Sequence, residues 1–423
     1  MKTSESKIKQ TFDIGNDELD VIDNFKNKLR LSAQKKGYLD IETSLFEDKA
    51  RYLNATSIHF SKIFNVERPK EKSRYVLQSD LAMSMSRFIA DNWSHSGGPV
   101  KLQQNGYLFR DRVDNKPGYR RIFQQYLLGI WGMRNKMMDA EMVLVIYETL
   151  RKLGLSGSFR LQVSNHNLLN NVNPKLAELI RFNTDKDKRL DILKTYSEIS
   201  DNDIENIFEI LNSDGYDIYE LQRMRLKLTN SKLISAIDET LDFISAINKI
   251  NPIINTRTIF NNLDGTNHYS GLTFRIYYTD QNRKETLVAD GGRMDTMVKK
   301  FNSQLDIPAS VFGVGTQILA QLIMSENPNR SDDIKKILIL TSPKNHMQGV
   351  VAQQALSSKN NFVSMMMLDS KKQISKVLKS DFYRNFVFIV CQNNKIDIRN
   401  TNDINKKILR KRLDEIIIRE NYL

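Results

Sequence analysis

"VKLQQNGYLFRDRVDNKPGYRRIFQQYLLGIWG", residues 100–132, consists of two apolar-rich segments on either side of a short polar turn. Runs that are rich in branched and aromatic side chains favour β-strands, whereas the Asn, Pro and Gly of "DNKPG" favour a turn or loop. The stretch therefore predicts a long antiparallel hairpin with basic residues near its tip.

The segments around this hairpin predict a mixture of helices and strands. Helical spacing of apolar residues predicts helices in "DELDVIDNFKNKLRLSAQKKG" (17–37), "QSDLAMSMSRFIADNW" (78–93) and "DAEMVLVIYETLRKLGL" (139–155). Two other segments, "GYLDIETSLFE" (37–47) and "SIHFSKIF" (57–64), are predicted as strands or strand edges. The run "FRLQVSN" (159–165) is also predicted as a strand.

The second half of the chain predicts a helical block and then a return to strands. From Pro174 to about Asn251 the pattern is helical, with capping residues and no convincing strand, which predicts an all-helical insertion. Strands are predicted at "LTFRIYYT" (272–279) and "KETLVADGG" (284–292), and "IPASVFGVGTQILAQLI" (307–323) predicts a strand that runs into a helix.

The last part of the chain predicts a separate small domain. Strand-like runs at "KKILILTS" (335–342), "NFVSMMML" (361–368) and "NFVFIVC" (385–391) alternate with helical segments in a β-α-β-α-β order. We therefore expect a core domain over residues 1–330, with its helical insertion at about 174–251, and an α/β domain over residues 331–423.

The composition is typical of a folded protein. The length of 423 residues suggests two or three domains, and 40% hydrophobic residues provide enough apolar surface for a globular interior. No segment approaches the roughly 20 apolar residues that span a bilayer, and the first residues lack the apolar centre of a signal peptide. We expect a soluble, cytoplasmic protein that does not contact a membrane.

The reactive side chains exclude several classes of site. The chain has one cysteine, Cys391, and five scattered histidines without metal-ligand spacing, so neither an internal disulfide nor a metal site is expected. It has no phosphate-binding loop, and no cofactor is predicted. His166 in "SNHN" has no nucleophile or partner acid at a recognisable spacing, which favours a structural polar turn.

The net charge of +13 leaves two interpretations open. A basic face gains affinity for nucleic acid because binding releases counterions from phosphates. The densest basic cluster, "NKKILRKRLDEIIIRE", contains Lys406, Lys407, Arg410 and Arg412, and its apolar residues recur at helical spacing. The cluster is therefore either an RNA-binding surface or the solvated face of a helix.

The order of motifs along the chain resembles that of the histidyl-tRNA synthetases and their paralogues. The resemblance rests on these stretches, in order: "GYLDIETSLFED", "LQSDLAMSMSR", "GYLFRDRV…YRRIFQQYLLGIWG", "DAE", "NLDGTNHYSGLTF", "GGRMD" and "IPASVFGVG". It implies an α+β fold with a class II synthetase antiparallel sheet flanked by helices, a helical insertion and an anticodon-binding-like α/β tail. It also implies a homodimer formed through the first motif.

The same resemblance implies that the residues for amino acid activation are largely lost. The second-motif arginine is kept as Arg110, in the pair Phe109-Arg110. Asp264 stands where the family has its histidine-specific arginine, and Ile318 stands where the third-motif arginine would stack on adenine. An acid about 4 Å from phosphate, at an effective dielectric near 20, is unfavourable by roughly 4 kcal/mol. No catalytic residue is therefore expected.

A vestigial ligand-binding pocket is implied by the remaining matches. Asp80 is suited to hold an ammonium group, Gln125 matches a glutamine that contacts the amino acid, and Tyr269 matches a tyrosine of the pocket wall. The alternative is that these residues are a sheet-edge acid, a strand amide and a packing aromatic. The other pocket residues that the resemblance suggests are Arg110, Arg121, Asp264, Gly291 and Gly292, although the two glycines also favour close strand packing.

The resemblance therefore implies a degenerate paralogue, a pseudoenzyme whose function is regulatory. We expect a regulatory subunit of ATP phosphoribosyltransferase in histidine biosynthesis, with the catalytic subunit of that enzyme as partner. One alternative is a divergent histidine–tRNA ligase that binds tRNA, which Arg110 and the basic balance favour. Another is a synthetase-like scaffold that binds RNA or protein without sensing a ligand.

Overall fold

The structure is a computed structural model in which most of the chain is described. The residues outside the description are 1–3, 7, 57, 69–70, 112–119, 182, 184, 262–268, 327–334, 358–360, 384–385, 393–394, 400–406 and 408–423. The chain divides into two compact units. The larger unit contains Glu5–Asp13 and Glu18–Glu326, and the smaller contains Met1–Ser4, Ile14–Asp17 and Asn327–Leu423.

The elements are numbered in chain order over the described residues. The strands are β1 (Ser4–Glu5), β2 (Phe12–Asp13), β3 (Leu39–Asp40), β4 (Phe46–Asp48), β5 (Asn65–Arg68), β6 (Glu71–Leu77), β7 (Val100–Phe109), β8 (Ile122–Trp131), β9 (Ser158–Asn165), β10 (Asn255–Thr258), β11 (Leu272–Thr279), β12 (Glu285–Arg293), β13 (Ala309–Gly315), β14 (Lys335–Thr341), β15 (Asn361–Met367), β16 (Val387–Gln392) and β17 (Lys395–Arg399). The α-helices are α1 (Asn16–Gln34), α2 (Lys49–Ala55), α3 (Leu81–Ser96), α4 (Lys136–Arg151), α5 (Asn167–Asn170), α6 (Leu176–Arg181), α7 (Lys186–Tyr196), α8 (Asp201–Asn212), α9 (Ile218–Lys227), α10 (Ser231–Ile250), α11 (Met297–Phe301), α12 (Thr316–Glu326), α13 (His346–Leu356) and α14 (Lys371–Leu378). Short 3₁₀ helices lie at Phe60–Lys62, Pro343–Asn345 and Asp381–Tyr383.

The main sheet of the larger unit is mostly antiparallel, as predicted. Among the described residues, eight strands follow the order β10-β9-β11-β12-β13-β8-β7-β3. The strands from β9 to β7 pair antiparallel, whereas β10 and β3 pair with their neighbours in parallel at the two edges. The predicted hairpin is confirmed, because β7 and β8 are in register from Val100 opposite Trp131 to Phe109 opposite Ile122.

The two faces of this sheet pack against different helices because side chains alternate along each strand. On β11, Phe274, Ile276 and Tyr278 are buried in the larger core, which also contains side chains of α1, α4, α8, α9 and α10. The opposite face carries a second core built with α2, α3 and α11, to which Leu127, Trp131 and Val311 of the sheet contribute. The candidate site lies on this second face.

The predicted strand "SIHFSKIF" is wrong in the structure. The segment contains the 3₁₀ helix Phe60–Lys62, and the strand β5 begins only at Asn65. The imidazole Nδ1 of His59 accepts a hydrogen bond from the backbone N–H of Ser61 at 3.3 Å. Such a local bond between a side chain and the backbone favours a turn over a strand. The apolar residues of this segment had suggested the strand.

The block from 174 to 251 is helical over α6–α10, with caps from short polar side chains. Asp185, Ser200, Asp217 and Asn230 each accept hydrogen bonds from backbone N–H groups in the first turn of the helix that follows. This satisfies donors that a helix leaves without partners at its start. An isolated antiparallel bridge pairs Tyr216 of the block with Thr258 at the end of β10.

The smaller unit has the predicted β-α-β-α-β order. Among the described residues its sheet follows the order β15-β14-β16-β17, in which β14 pairs parallel with both β15 and β16. The antiparallel strand β17 was not predicted. Of the basic cluster near the carboxyl terminus, Lys407 is described as an exposed helical residue, and Lys406, Arg410 and Arg412 lie outside the described residues. Over the described part of the chain, no helix combines the length and apolar character needed to cross a membrane.

Candidate functional site

A cavity of about 230 Å³ opens on the second face of the main sheet. Its walls come from the start of α3, the β7–β8 hairpin, β12 and the junction of β13 with α12. Five of the residues predicted for the pocket line this cavity, namely Asp80, Arg110, Gln125, Tyr269 and Gly291. The structure therefore brings together residues that lie up to 211 positions apart in the sequence.

The side chains of Asp80 and Arg110 lie close together at the N-terminus of helix α3. Asp80 caps the helix, because its Oδ1 accepts a hydrogen bond from the N–H of Ala82 at 2.9 Å. Its Oδ2 lies 3.6 Å from Nη2 of Arg110. Arg110 also donates from Nε to the carbonyl of Ser79 at 2.7 Å, and its guanidinium lies 5.3 Å from the ring centre of Phe123. The arginine is thus held between an acid, a carbonyl and an aromatic face.

A buried tyrosine, Tyr52, holds the loop that carries Asp80 in place. The hydroxyl of Tyr52 accepts hydrogen bonds from the backbone N–H groups of Ser79 and Asp80, each at 2.9 Å. Burial raises the pKa of Tyr52 well above its ordinary value, and the nearby Asp80 carboxylate adds to the increase. The hydroxyl therefore stays neutral and keeps the loop in place at physiological pH.

Tyr269 is surrounded by charged side chains of both signs. Burial is the main reason that the pKa of its hydroxyl is raised far above the ordinary value, and the carboxylates of Asp290 and Asp80 raise it further. Arg275 and Arg110 act in the opposite direction. On its other side the Tyr269 ring lies 5.7 Å from the ring of buried His166. Tyr269 is accordingly a neutral hydroxyl whose pKa is influenced by two acids and two arginines.

Glycines in the neighbouring strands make room for the site. A Cβ added at Gly313 would lie 2.5 Å from Nε2 of Gln125, so this glycine gives the glutamine side chain its space. A Cβ at Gly291 would lie 2.1 Å from the Val311 carbonyl oxygen, and one at Gly292 would lie 2.6 Å from the Leu272 carbonyl oxygen. Both predicted glycines thus allow close strand packing. They lie within β12, and of the two only Gly291 also lines the cavity.

The prediction that placed Arg121 in the pocket differs from the structure. Its guanidinium lies 3.2 Å from the carboxylate of Asp111, and it does not line the cavity. Its neighbour Arg120 lines the cavity instead and is buried against Glu18, with a distance of 2.8 Å between the charged groups. The ring of Phe12 covers the Arg120 guanidinium at 5.0 Å. The two arginines are adjacent just before β8, so a shift of one position exchanges the residue that lines the cavity.

The junction of β13 and α12 forms an uncharged wall. Ile318 lines the cavity where the resemblance places an arginine in other family members. Gln317 is buried, and its Oε1 accepts a hydrogen bond from the backbone N–H of Gln124 at 2.7 Å. Thr316 donates from Oγ1 to the carbonyl of the same Gln124 at 3.1 Å. These bonds hold the helix start against β8, so Gln317 supports the wall instead of reaching a ligand.

One further acid, Asp290, adds to the charge pattern of the cavity. Asp264, predicted for this pocket, lies outside the described residues. Asp290, which sequence reasoning missed, lines the cavity from β12. Its signal in the sequence was its position directly before Gly291 at the end of a strand. The described residues contain no group of three or more His, Cys, Asp and Glu side chains arranged to hold a metal ion.

The electrostatics of the cavity suit a ligand without net charge. Among the described lining residues the cations are Arg110 and Arg120, and each has an acid within ion-pair distance. A phosphate-bearing ligand requires cations that are available to offset its charge. Here it would compete with Asp80 and Glu18 for them. The remaining polar groups are amides, the Tyr269 hydroxyl and the carboxylate of Asp290, which suit neutral or zwitterionic molecules.

Sequence comparisons match this chain to known proteins over most of its length. The family model for histidyl-tRNA synthetase matches residues 10–316. The histidine–tRNA ligase of Sulfurisphaera tokodaii is 24% identical over 387 residues, covering 88% of each chain. The ATP phosphoribosyltransferase regulatory subunit of Clostridium botulinum is 23% identical over 330 residues, covering 74% of this chain and 75% of that protein.

A solved structure has the same fold. The crystal structure of an ATP phosphoribosyltransferase regulatory subunit/histidyl-tRNA synthetase from Bacillus halodurans matches with a TM-score of 0.73 at 16% identity, covering 91% of this chain and 98% of the other. At that identity the likeness concerns the fold, which is that of the class II synthetases. The family match, which spans well over half of the sequence, concerns ancestry as well. The chain belongs to the histidyl-tRNA synthetase family.

Proposed function

We propose that this chain is a non-catalytic regulatory subunit that associates with the catalytic subunit of ATP phosphoribosyltransferase in histidine biosynthesis. The proposal rests on the ion pairs of the two arginines that line the cavity. Among the described lining residues, Arg110 is paired with Asp80 and Arg120 is buried with Glu18. Adenylation needs preorganised cations around the phosphates, so this cavity supports binding or structure better than catalysis.

The uncharged wall supports the same proposal. Ile318 offers neither a guanidinium plane for stacking on adenine nor a charge for phosphate. Asp290 adds a negative charge to the lining of the cavity. The Clostridium botulinum relative, whose name describes a regulatory subunit, matches about three quarters of this chain. The proposal extends that role to this chain.

A homodimer is part of the proposal. Five large apolar side chains that are each at least 39% exposed define what we call the apolar patch, namely Leu39, Leu45, Phe46, Tyr75 and Tyr107. Gln78 links the segments of Leu45 and Tyr107, because it donates from its N–H to the Leu45 carbonyl at 2.9 Å and from Nε2 to the Tyr107 carbonyl at 2.7 Å. Exposed apolar side chains on neighbouring segments favour an interface. A second copy of the chain is the proposed occupant.

Co-expression with the catalytic ATP phosphoribosyltransferase subunit from the same genome tests the regulatory role. We expect a complex that survives gel filtration and whose affinity changes little between low and high salt, because interfaces with apolar centres are weakly screened. The control variant replaces Lys406, Lys407, Arg410 and Arg412 with Gln and should form the same complex. Absence of a complex, or absence of a catalytic subunit gene from that genome, contradicts the proposal.

A divergent histidine–tRNA ligase is the second candidate. It is favoured by Arg110, which lies in the cavity at the position of the second-motif arginine, and by the match to the Sulfurisphaera tokodaii ligase over 88% of the chain. An RNA-binding scaffold is a third candidate, favoured by the net charge of +13. RNA binding would make log affinity fall steeply with log salt, in proportion to the phosphates neutralised. The four-residue Gln variant would then lose that affinity.

A further inference from the structure

A second hollow lies on the same sheet face as the cavity, beyond strand β11. It has a volume of about 360 Å³ and is lined by Gln162, Asp214, Ile259, Asn261, Arg275 and Tyr277. Residues that pair across adjacent strands project from the same face. Tyr277 of the hollow pairs with Leu287 of the cavity, and Arg275 of the hollow pairs with Asp290 of the cavity. The two concavities are therefore neighbours on one surface.

A row of polar side chains forms the floor between them. Arg275 of β11 stands opposite Gln162 of β9 on one side and Asp290 of β12 on the other. Gln162 is buried and Arg275 is half-buried. A half-buried guanidinium is screened less by solvent than a surface one, and its five N–H donors can serve a neighbouring acid and a ligand at the same time.

The opposite wall of the hollow carries an exposed acid on a rigid turn. Asp214 lies between α8 and α9, next to Gly215, whose φ of 121° is a conformation that other residues rarely adopt. Tyr216 and Thr258 exchange two backbone hydrogen bonds, of 2.8 and 2.9 Å. The turn is thus tied to the end of β10, and Asp214 is held at the hollow rather than on a loose loop.

The other charged groups around the hollow are engaged elsewhere. Arg160 pairs with Glu285 at 2.9 Å, stacks 5.1 Å from the Tyr277 ring centre and reaches Gln162 at 3.4 Å. Arg257 lies 3.5 Å from Glu220. Asp214 has no ion pair within the part of the chain that the structure describes. The hollow thus presents one guanidinium and one carboxylate on different walls, with amide side chains beside them.

We propose that this second hollow binds a small zwitterion, with the carboxylate of the ligand on Arg275 and its ammonium group on Asp214. A guanidinium matches the geometry of a carboxylate through two parallel N–H donors. The amides of Gln162 and Asn261 provide neutral hydrogen-bonding groups for the rest of the molecule. This site is distinct from the cavity around Tyr269, and the proposal does not depend on the regulatory role.

Thermal-shift measurements with each of the twenty standard L-amino acids, followed by calorimetry on those that stabilise the protein, test the site. At least one amino acid should raise the Tm, and its amide derivative should bind more weakly because the carboxylate is lost. Arg275→Gln and Asp214→Asn should each reduce affinity by at least about tenfold. Asp214 is exposed on a turn, so its variant should fold even if the Arg275 variant does not.

Arg110→Gln, in the first cavity, is the matched control and should leave amino acid affinity within about twofold. The proposal is overturned if none of the amino acids raises the Tm. It is also overturned if Asp214→Asn has no effect, or if Arg110→Gln abolishes binding, which would place the ligand in the first cavity. None of these outcomes bears on complex formation with a catalytic subunit, so the two proposals fail separately.

Discussion

Arg110 lies against Asp80, with Nη2 of the arginine 3.6 Å from Oδ2 of the acid. The same acid caps helix α3 through its other oxygen, so one carboxylate both starts a helix and holds a cation. A ligand that takes Arg110 must therefore replace Asp80, whereas a ligand that leaves Arg110 alone finds amides, the Tyr269 hydroxyl and the carboxylate of Asp290. This pairing links the stability of the loop to the charge of the cavity.

Asp80→Ala should lower the free energy of unfolding by about 2 kcal/mol, because the helix cap is lost and Arg110 is left without its carboxylate. Asp80→Asn keeps a capping oxygen and should lower it by about half as much. Asp48→Ala is the matched control, since Asp48 caps α2 through the N–H of Arg51. Urea unfolding of the three variants measures the difference. Equal losses for Asp80→Ala and Asp48→Ala would show that the Arg110 pair contributes nothing.

The purified protein should not exchange labelled pyrophosphate into ATP in the presence of histidine. Removal of one preorganised charge commonly costs about 2.7–4 kcal/mol in rate, and here the position of Ile318 lacks a cation. An intact histidyl-tRNA synthetase assayed in parallel provides the reference rate. Exchange at a comparable rate would replace the regulatory proposal with the ligase.

Gly291→Ala should destabilise the protein by about 2 kcal/mol or more, because the added methyl group would overlap the backbone of β13. Gly315→Ala is the control on the neighbouring strand, where the nearest atom to an added Cβ lies at 3.6 Å on the Ile318 side chain. The free energy of unfolding of that variant should lie within about 1 kcal/mol of the wild-type value. Thermal unfolding compares them. A wild-type Tm for Gly291→Ala would mean that β12 and β13 are farther apart than described.

Asp203 should make the helical block sensitive to acid. Burial alone would raise the pKa of this carboxyl, but hydrogen bonds from Thr229, Ser200 and Asn230 outweigh burial and hold the pKa below its ordinary value. A lowered folded-state pKa gives stability that is present above the unfolded pKa of about 3.9 and is lost as pH falls through the folded pKa. The stability from Asp203 should therefore disappear in acid.

Asp203→Asn measures this contribution. At pH 7 it should lower the free energy of unfolding by about 2 kcal/mol, and the gap to the wild type should narrow below about pH 4. Asp201→Asn, in the same first turn but exposed, should change stability by less than about 0.5 kcal/mol. A gap for Asp203→Asn that stays constant from pH 7 to pH 3 would rule out the charged carboxylate as its source.

The apolar patch should determine the oligomeric state. Light scattering should give twice the mass of one chain for the wild type, and Phe46→Arg should give one chain mass, because a buried unpaired charge strongly disfavours an interface. Leu226 is 78% exposed on α9, outside the patch. Leu226→Arg should leave the dimer intact. A monomeric wild type, or a dimer that tolerates Phe46→Arg, contradicts this interface.

The sequence predicted the sheet well because its strands carry strong local patterns. The β7–β8 hairpin and the strand at 272–279 have long runs of β-forming residues, and the structure has both. The segment "SIHFSKIF" has the same apolar content, but His59 closes a local turn that residue preferences do not reveal. Patterns of several residues were therefore reliable, and short segments governed by one hydrogen bond were not.

The site was predicted only in part because its geometry depends on register and distant partners. Asp80, Arg110 and Tyr269 meet as expected, but the choice between Arg120 and Arg121 depends on which side chain faces inward. The ion pair of Arg120 joins it to Glu18, which lies 102 positions earlier, and no local pattern shows such a pairing. The cross-strand pairing of Arg275 with Asp290 likewise becomes visible only when the register of β11 and β12 is known.

The hydroxyl of Tyr52 should slow the hydrogen exchange of two amides in the loop before α3. The amides of Ser79 and Asp80 lie outside regular secondary structure, yet each donates to this one buried oxygen. Their hydrogen exchange with deuterated solvent should therefore be as slow as that of core strand amides. A ligand that draws Asp80 away from Arg110 would disturb these two amides first. Their NMR signals are thus natural reporters of occupancy in the cavity.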